Sequence, residues 1–125
     1  MQKKKFFNLV SILIGILFLS ACEYATITPD GPAPGQKVSF QTDIIPIFNS
    51  GCNNAGCHNS TGPKPDLTPT NAYQSLVENN MVVAGKGSES LLYTALQQGG
   101  VMAAYGSAKN NALIKNWIDQ GAENN

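Results

Sequence analysis

The sequence GCNNAGCH, from Gly51 to His58, decides how the rest of the chain is interpreted. It holds two of the three cysteines in the 125-residue chain and its only histidine. Cys52 and Cys57 are separated by four residues, and His58 follows the second cysteine directly. Two thiols and an imidazole this close together indicate a site at which sulfur and nitrogen act jointly.

Three kinds of site fit these residues. Covalent haem attachment needs two thiols, which form thioethers with the haem vinyl groups, and an adjacent imidazole that binds the iron. The usual motif for it is C-x-x-C-H, so the spacing here is wider than usual. A structural disulfide between Cys52 and Cys57 would make no use of the histidine. A zinc site would need a fourth ligand in addition to the two cysteines and His58.

The N-terminus resembles a bacterial lipoprotein signal. Lys3, Lys4 and Lys5 form a positive segment, and an apolar run follows from residue 6 to residue 19. This run is short for a membrane span and ends in Leu-Ser-Ala-Cys, with the cysteine at position 22. We therefore predict that residues 1–21 are a cleaved signal peptide and that Cys22 carries the lipid. The protein would then reside in the bacterial cell envelope, on the periplasmic or cell-surface side. The alternative is an ordinary signal peptide with an unmodified cysteine.

Removal of the leader changes the charge of the chain. It leaves five lysines against eight acidic residues, a formal charge of −3, and the chain has no arginine. This composition excludes a basic nucleic-acid-binding surface. Residues 22–37 are rich in threonine, proline and glycine and are predicted to form a lipidated tether. Residues 38–125 have the length of one small domain, whose apolar core is marginal by itself.

The apolar spacing of this domain predicts an all-α fold. The first helix is predicted to carry Phe40, Ile44 and Phe48 on one face, with Asp43 as its N-cap. That choice of N-cap places Pro46 in the first turn, where its missing N–H does no harm. Residues 59–70 are predicted to be a loop because proline, glycine, serine and threonine recur there.

Three further helices follow in the same prediction. The second begins near residue 70 and the third at Ser88, and the last begins near Asn110 and is terminated by Gly121. Their predicted inward side chains are Tyr73, Leu76 and Val77 in the second helix, Leu91, Leu92, Ala95 and Leu96 in the third, and Leu113, Ile114, Trp117 and Ile118 in the last.

Residues 38–122 resemble the small class I-like mono-haem cytochrome c domains of bacterial lipoproteins, including those called planctomycete-type. Four segments carry the resemblance: DIIPIF at residues 43–48, CNNAGCH at 52–58, GKGSESLLY at 85–93 and IKNWIDQGA at 114–122. Members with four residues between the haem cysteines occur in this family, so the wide spacing is a known variant of its motif.

The resemblance implies a cytochrome c-like fold of about four short helices around one covalently bound haem c. Cys52 and Cys57 would form the thioethers, His58 would be the proximal iron ligand, and Met102 would be the distal ligand. In the family this methionine is usually followed by prolines, whereas here Ala103 and Ala104 follow it. The first helix would cross the last, which puts Phe40, Ile44 and Phe48 against Leu113 and Trp117.

These expectations describe a membrane-anchored electron carrier and not an enzyme. It would pass single electrons between redox partner proteins outside the cytoplasm, because an iron held by both His and Met has no open position for a substrate. One alternative is a haem-based ligand-binding or sensor module, if the distal position is open. The other is an interaction lipoprotein, meaning one that binds other proteins, that carries no haem and is stabilised by a disulfide.

Overall fold

The part of the chain that the structure describes consists of four helices joined by loops and short turns. The computed structural model describes residues 32–33 and 35–125. The helices are α1 at residues 40–52, α2 at Ala72–Glu78, α3 at Leu91–Ala95 and α4 at Ala108–Asp119. Turns of 3₁₀ helix at Gly87–Glu89 and Ala103–Tyr105 precede α3 and α4. The described residues form no strand, so the predicted all-α class is confirmed for this part of the chain.

Helix α1 has wide turns at both ends. Phe40–Ile44 and Phe48–Cys52 are π-helical and flank one α-helical turn at Ile45–Ile47. Pro46 lies in that central turn, where it lacks an N–H and its ring crowds the carbonyl group one turn earlier. The wide turns accommodate the proline because they relax the hydrogen-bond pattern around it. The helix therefore continues through Pro46 to the first cysteine.

The start of α1 lies earlier than the sequence predicts. Ser39, and not Asp43, is the N-cap, and its hydroxyl accepts a hydrogen bond from the Thr42 N–H at 3.3 Å. The Asp43 carboxylate accepts one from the Ser39 N–H at 2.8 Å, so the two residues cap the helix reciprocally. The prediction of Asp43 was wrong because it required Pro46 to lie in the first turn, whereas the wide turns tolerate it inside the helix.

Helix α2 buries a different face from the one predicted. Leu76 is fully buried, as expected, but Val77 is 50% exposed and Ser75 is buried instead. Tyr73 is half-buried and contacts Phe40 edge-to-face, with ring centroids 5.4 Å apart. The inclusion of Val77 was wrong because a helix of seven residues presents only a narrow stripe to the core.

Helix α3 also differs from the prediction. Its N-cap is Ser90 and not Ser88, because a 3₁₀ turn occupies Gly87–Glu89. Leu92 is buried, but Leu91 is 51% exposed. Only one and a half turns of α-helix remain, so the predicted stripe of four buried residues was too wide.

Helix α4 begins at Ala108, two residues before the predicted start. Ser107 is its N-cap, and the Ser107 hydroxyl accepts a hydrogen bond from the Asn110 N–H at 3.2 Å. A serine in extended conformation before the first helical residue is a common N-cap. Sequence spacing alone did not reveal it because residues 107–109 add no apolar side chain to the buried stripe.

The predicted glycine terminator of α4 is confirmed. Gly121 has a φ of +111°, a conformation that suits glycine. Its N–H donates to the Ile118 carbonyl, and the Ala122 N–H donates to the Trp117 carbonyl, both at 3.0 Å. These two bonds form a Schellman motif, which satisfies the last carbonyl groups of the helix.

The first and last helices pack against each other and form the core. Phe40 contacts Trp117 with ring centroids 4.9 Å apart, and both side chains are almost fully buried. Ile44 and Phe48 are also buried, and Leu113 packs at the margin of the same cluster, as the resemblance implied. Aromatic pairs of this kind contribute about 0.5–1.5 kcal/mol beyond the burial of their area. The buried apolar residues are Val38, Phe40, Ile44, Ile45, Phe48, Leu67, Ala72, Leu76, Leu92, Ile114, Trp117, Ile118 and Ala122.

Packing onto this core begins at Val38. Its side chain is 2% exposed, and its N–H donates to the Gln120 side chain at 2.8 Å. The predicted signal peptide at residues 1–21, Cys22 and most of the predicted tether lie outside the described residues. Within the described residues, no helix has the length and apolar character needed to cross a membrane.

Candidate functional site

A cavity of about 210 Å³ lies between α1, α4 and the loops that follow α1 and α3. Cys52, Cys57, His58 and Met102 all line it. None of its lining residues carries a formal charge. Apolar side chains form most of the remaining wall, namely Ile47, Phe48, Leu67, Leu92, Leu96 and Ile114. The structure therefore brings the four predicted site residues of the domain to one apolar cavity.

The chain between the two cysteines makes a tight turn at residues 54–57. The Cys57 N–H donates to the Asn54 carbonyl at 2.9 Å, and Gly56 has a φ of +82°. This geometry matches a type II turn, which needs glycine at its third position. The His58 N–H then donates to the Cys52 carbonyl at 2.9 Å. The turn accommodates the two additional residues between the cysteines. It reverses the chain, so that Cys57 and His58 lie next to the end of α1.

The loop after His58 holds the imidazole in place. Its Nδ1 nitrogen lies 3.1 Å from the Pro63 carbonyl oxygen, and the Leu67 N–H donates to the His58 carbonyl at 2.7 Å. Gly62 packs so closely on the Cys57 carbonyl that a Cβ atom at this position would clash with it. The ring is therefore held at Nδ1, and Nε2 is the nitrogen left to bind a metal or a ligand.

The two cysteines of the site are free thiols. Burial raises the pKa of the Cys52 thiol, and the nearby Cys57 sulfur raises it further. An apolar wall and a second sulfur therefore favour the neutral form of Cys52, which opposes the thiolate that a metal site requires. In the part of the chain that the structure describes, no three His, Cys, Asp or Glu side chains converge as metal ligands. This arrangement argues against the zinc alternative.

Met102 reaches the cavity from the loop between α3 and α4. Its N–H donates to the Ala95 carbonyl at the end of α3, at 2.8 Å. Gly100 approaches the same carbonyl so closely that any side chain there would clash. Met81 does not line the cavity but packs against the hydrophobic core, where its backbone bonds to Leu76 and Leu92. Of these two methionines, the structure brings only Met102 to the cavity.

Three polar residues at the cavity were not predicted from the sequence. Tyr105 follows Met102 by three residues, and Asn110 and Asn111 lie in the first turn of α4. The spacing could have placed the two asparagines at the cavity, because Asn110 and Asn111 precede Ile114 by about one helical turn and lie on the same face of the helix. They were missed because asparagine near a helix start is commonly a capping residue.

Comparison with known proteins gives no match. The chain matches no protein-family model, no curated protein sequence and no solved structure. Its function therefore has to be inferred from the residues and their geometry.

Proposed function

We propose that this protein is a lipid-anchored, mono-haem c-type cytochrome that transfers single electrons outside the cytoplasm. One observation carries the proposal: two free thiols, an imidazole and a methionine thioether line the same uncharged, apolar cavity. These are the groups that covalent attachment and six-coordinate ligation of a haem require. A disulfide between Cys52 and Cys57 would leave His58 and Met102 at the cavity without a role.

The donor set fits a covalent haem for a second reason. Cys52 is a half-buried thiol, and its burial makes ionisation unfavourable. A thioether has no proton to lose and no charge, so it suits an apolar wall better than a thiolate does. The Pro63 carbonyl accepts the Nδ1 proton of His58, which leaves the lone pair of Nε2 for the iron.

A bound haem supplies an iron that accepts or releases one electron. The residues of this chain control that exchange. His58 and Met102 would both hold the iron, which would leave it no free position for a substrate. The apolar wall excludes water and disfavours added charge, and the Met102 thioether favours the reduced state. These roles belong to an electron carrier and not to an enzyme.

The leader supports a place in the cell envelope. Its basic segment, short apolar run and Leu-Ser-Ala-Cys ending are typical of a lipoprotein signal. Lipid on Cys22 would tether the domain to a membrane through residues 22–37, and redox partner proteins would meet it there.

The test is a haem-stained denaturing gel with a pyridine haemochrome spectrum. The wild type and the variants Cys52→Ala, Cys57→Ala and Cys52→Ala/Cys57→Ala are expressed with their leader in a host that matures c-type cytochromes. We expect two thioethers in the wild type, one in each single variant and no covalent haem in the double variant. A colourless wild-type protein with a Cys52–Cys57 disulfide would instead establish the interaction lipoprotein.

A further inference from the structure

The Asn111 side chain connects α4 to the end of α3. Its Nδ2 group donates a hydrogen bond to the Leu96 carbonyl at 3.1 Å. Leu96 is the C-cap residue of α3 and lines the cavity, as Asn111 does. The bond spans fifteen residues of sequence and closes over the loop that carries Met102.

The far end of the Met102 loop rests on the same bond. A Cβ atom on Gly106 would lie 2.7 Å from the Leu96 carbonyl oxygen and 3.0 Å from each polar atom of the Asn111 amide. Since only glycine fits there, the loop backbone is pressed against the Asn111–Leu96 contact. At the near end, the Met102 N–H is bonded to Ala95, the residue before Leu96. Both ends of the loop are therefore fixed on one turn of α3.

Burial of the Asn111 amide is unfavourable in free energy. Its Oδ1 atom is buried and has no hydrogen-bond partner among the described residues, and the same holds for Nε2 of Gln97. An unpaired buried polar atom is unfavourable, and an apolar side chain of similar size would avoid that cost. What the amide adds at this position is the bond from Nδ2 to Leu96.

We propose that Asn111 is a positioning residue for Met102. By holding the Leu96 carbonyl and Gly106 together, it fixes the loop so that the Met102 thioether stays at the cavity. It acts through the loop backbone and does not itself touch the iron. This role rests on the proposed haem function, because only a bound iron makes the position of Met102 a matter of ligation.

The test compares Asn111→Leu with Asn116→Leu. Asn116 is a matched control on the same helix, since it does not line the cavity and the bond that it accepts from the Gln120 N–H uses its backbone carbonyl, which leucine keeps. Two quantities are measured on the purified full-length proteins: the affinity of the reduced protein for carbon monoxide, and amide hydrogen exchange at Met102 and Gly106. Carbon monoxide reports release of the methionine from iron, and exchange reports opening of the loop whether or not haem is present.

We expect Asn111→Leu to bind carbon monoxide at least about tenfold more tightly than the wild type, because the loop opens more often. Amide exchange at Met102 should rise by at least about tenfold, while Asn116→Leu stays near the wild type in both measurements. Equal behaviour of the two leucine variants would overturn the role of Asn111.

Two further outcomes are distinguishable. If the wild type carries no haem, the proposed function fails, and amide exchange alone decides whether Asn111 holds the loop. If Asn111→Leu does not fold, Gly106→Ala replaces it, because its added methyl group pushes against the same contact from the loop side. Unchanged exchange at Met102 in Gly106→Ala would then refute the proposal.

Discussion

The Nδ1 nitrogen of His58 lies 3.1 Å from the carbonyl oxygen of Pro63. A carbonyl oxygen only accepts hydrogen bonds, so Nδ1 carries the proton and the neutral ring keeps its lone pair on Nε2. The contact also restricts rotation of the ring, as outer partners of metal-binding histidines commonly do. A loop of only five residues thus determines which nitrogen of the single histidine is free.

The first prediction concerns His58 itself. His58→Ala should keep covalent haem, because both cysteines remain, but the iron should lose its proximal ligand and its low-spin visible spectrum. Added imidazole should restore that spectrum. Pro63→Ala is the control, since it keeps the carbonyl oxygen, and should resemble the wild type. A His58→Ala variant with an unchanged spectrum would remove the histidine from the iron.

The second prediction concerns the turn between the cysteines. Gly56 has a φ of +82°, so Gly56→Ala forces a side chain into an unfavourable conformation although nothing obstructs its Cβ. We expect a loss of about 1 kcal/mol in the free energy of unfolding, measured with urea. Gly51→Ala is the matched control, because its Cβ is also unobstructed and it lies within a helical turn. It should be neutral or stabilising by up to about 1 kcal/mol. Equal effects of the two variants would contradict the turn assignment.

The third prediction concerns the buried Asp66 carboxylate. Its Oδ1 atom accepts hydrogen bonds from the Thr68 hydroxyl at 2.7 Å and the Thr68 N–H at 3.0 Å, and Oδ2 accepts one from Asn71 at 2.9 Å. The bonds from Thr68, and then that from Asn71, lower the pKa of Asp66 below its ordinary value of 3.8. A lowered pKa in the folded state means that the charged form stabilises the fold above the ordinary pKa. That contribution is lost as the pH falls through the lower, folded-state value.

Asp66→Asn tests this dependence. The variant should be less stable than the wild type at pH 7, because one amide nitrogen would then face the Asn71 donor. Below about pH 4, its free energy of unfolding should fall less steeply with decreasing pH than that of the wild type. The difference in slope should correspond to the binding of at most about one proton. Urea unfolding measured between neutral and acid pH gives both quantities. Glu78→Gln, at an exposed carboxylate on α2, should leave the slope closer to that of the wild type. Parallel slopes for Asp66→Asn and the wild type would contradict the prediction.

The helices that bury long apolar stripes are the part of the fold that could be predicted from sequence. Ile114, Trp117 and Ile118 lie at helical spacing on one face of α4, so this helix and its glycine terminator were identified, although its start was placed two residues late. The two short helices were also expected, but their buried faces were predicted too wide, because one or two turns contain too few residues to define a face. Val77 and Leu91 are exposed for this reason. The N-cap of α1 was missed because Pro46 was expected in the first turn, and the π-helical turns that tolerate it inside the helix leave no periodic signature in the sequence.

The candidate site also has a part that could be identified from the sequence and a part that could not. Cys52, Cys57 and His58 lie within seven residues of one another, so their spacing and side-chain chemistry are sufficient to identify them as candidates. The bond from Asn111 to Leu96 joins two loop ends that are distant in sequence, and asparagine occurs at many helix starts for other reasons. Only the fold shows that this amide is buried beside Met102. Tertiary contacts of common polar residues are therefore the part that sequence spacing does not reveal.

The fourth prediction concerns Cys22, which lies outside the described residues. Cys22→Ser should release the protein into the soluble fraction or leave its signal peptide uncleaved. Stable anchoring needs more than one acyl chain, because a single chain binds membranes only marginally. Fractionation and mass spectrometry of the N-terminal peptide measure both effects. Membrane retention of Cys22→Ser with no lipid mass on the wild-type peptide would exclude lipidation at this residue.

The fifth prediction separates Met102 from Met81, the two methionines that remain after removal of the leader. Met102 lines the cavity, whereas Met81 packs against the core and bonds through its backbone to Leu76 and Leu92. Met102→Ala should abolish the weak far-red sulfur-to-iron band of the oxidised protein and lower its reduction potential, because the thioether ligand is lost. Met81→Ala should keep the band and the potential but reduce stability, by less than the about 2–5 kcal/mol that truncation of a fully buried methionine costs, because Met81 is only partly buried.

Carbon monoxide binding completes this comparison. If the Met102-bound state outweighs the open state by about tenfold, removing the methionine raises the apparent affinity for carbon monoxide by about the same factor. Met81→Ala keeps Met102 as an iron ligand, so it should bind carbon monoxide no more tightly than the wild type does. The reverse pattern would transfer the ligand role to Met81. A wild-type protein that lacks the far-red band and already binds carbon monoxide as tightly as Met102→Ala has an open distal position. In that case the protein acts as a haem-based sensor and not as an electron carrier, because a free coordination site lets a small ligand compete for the iron.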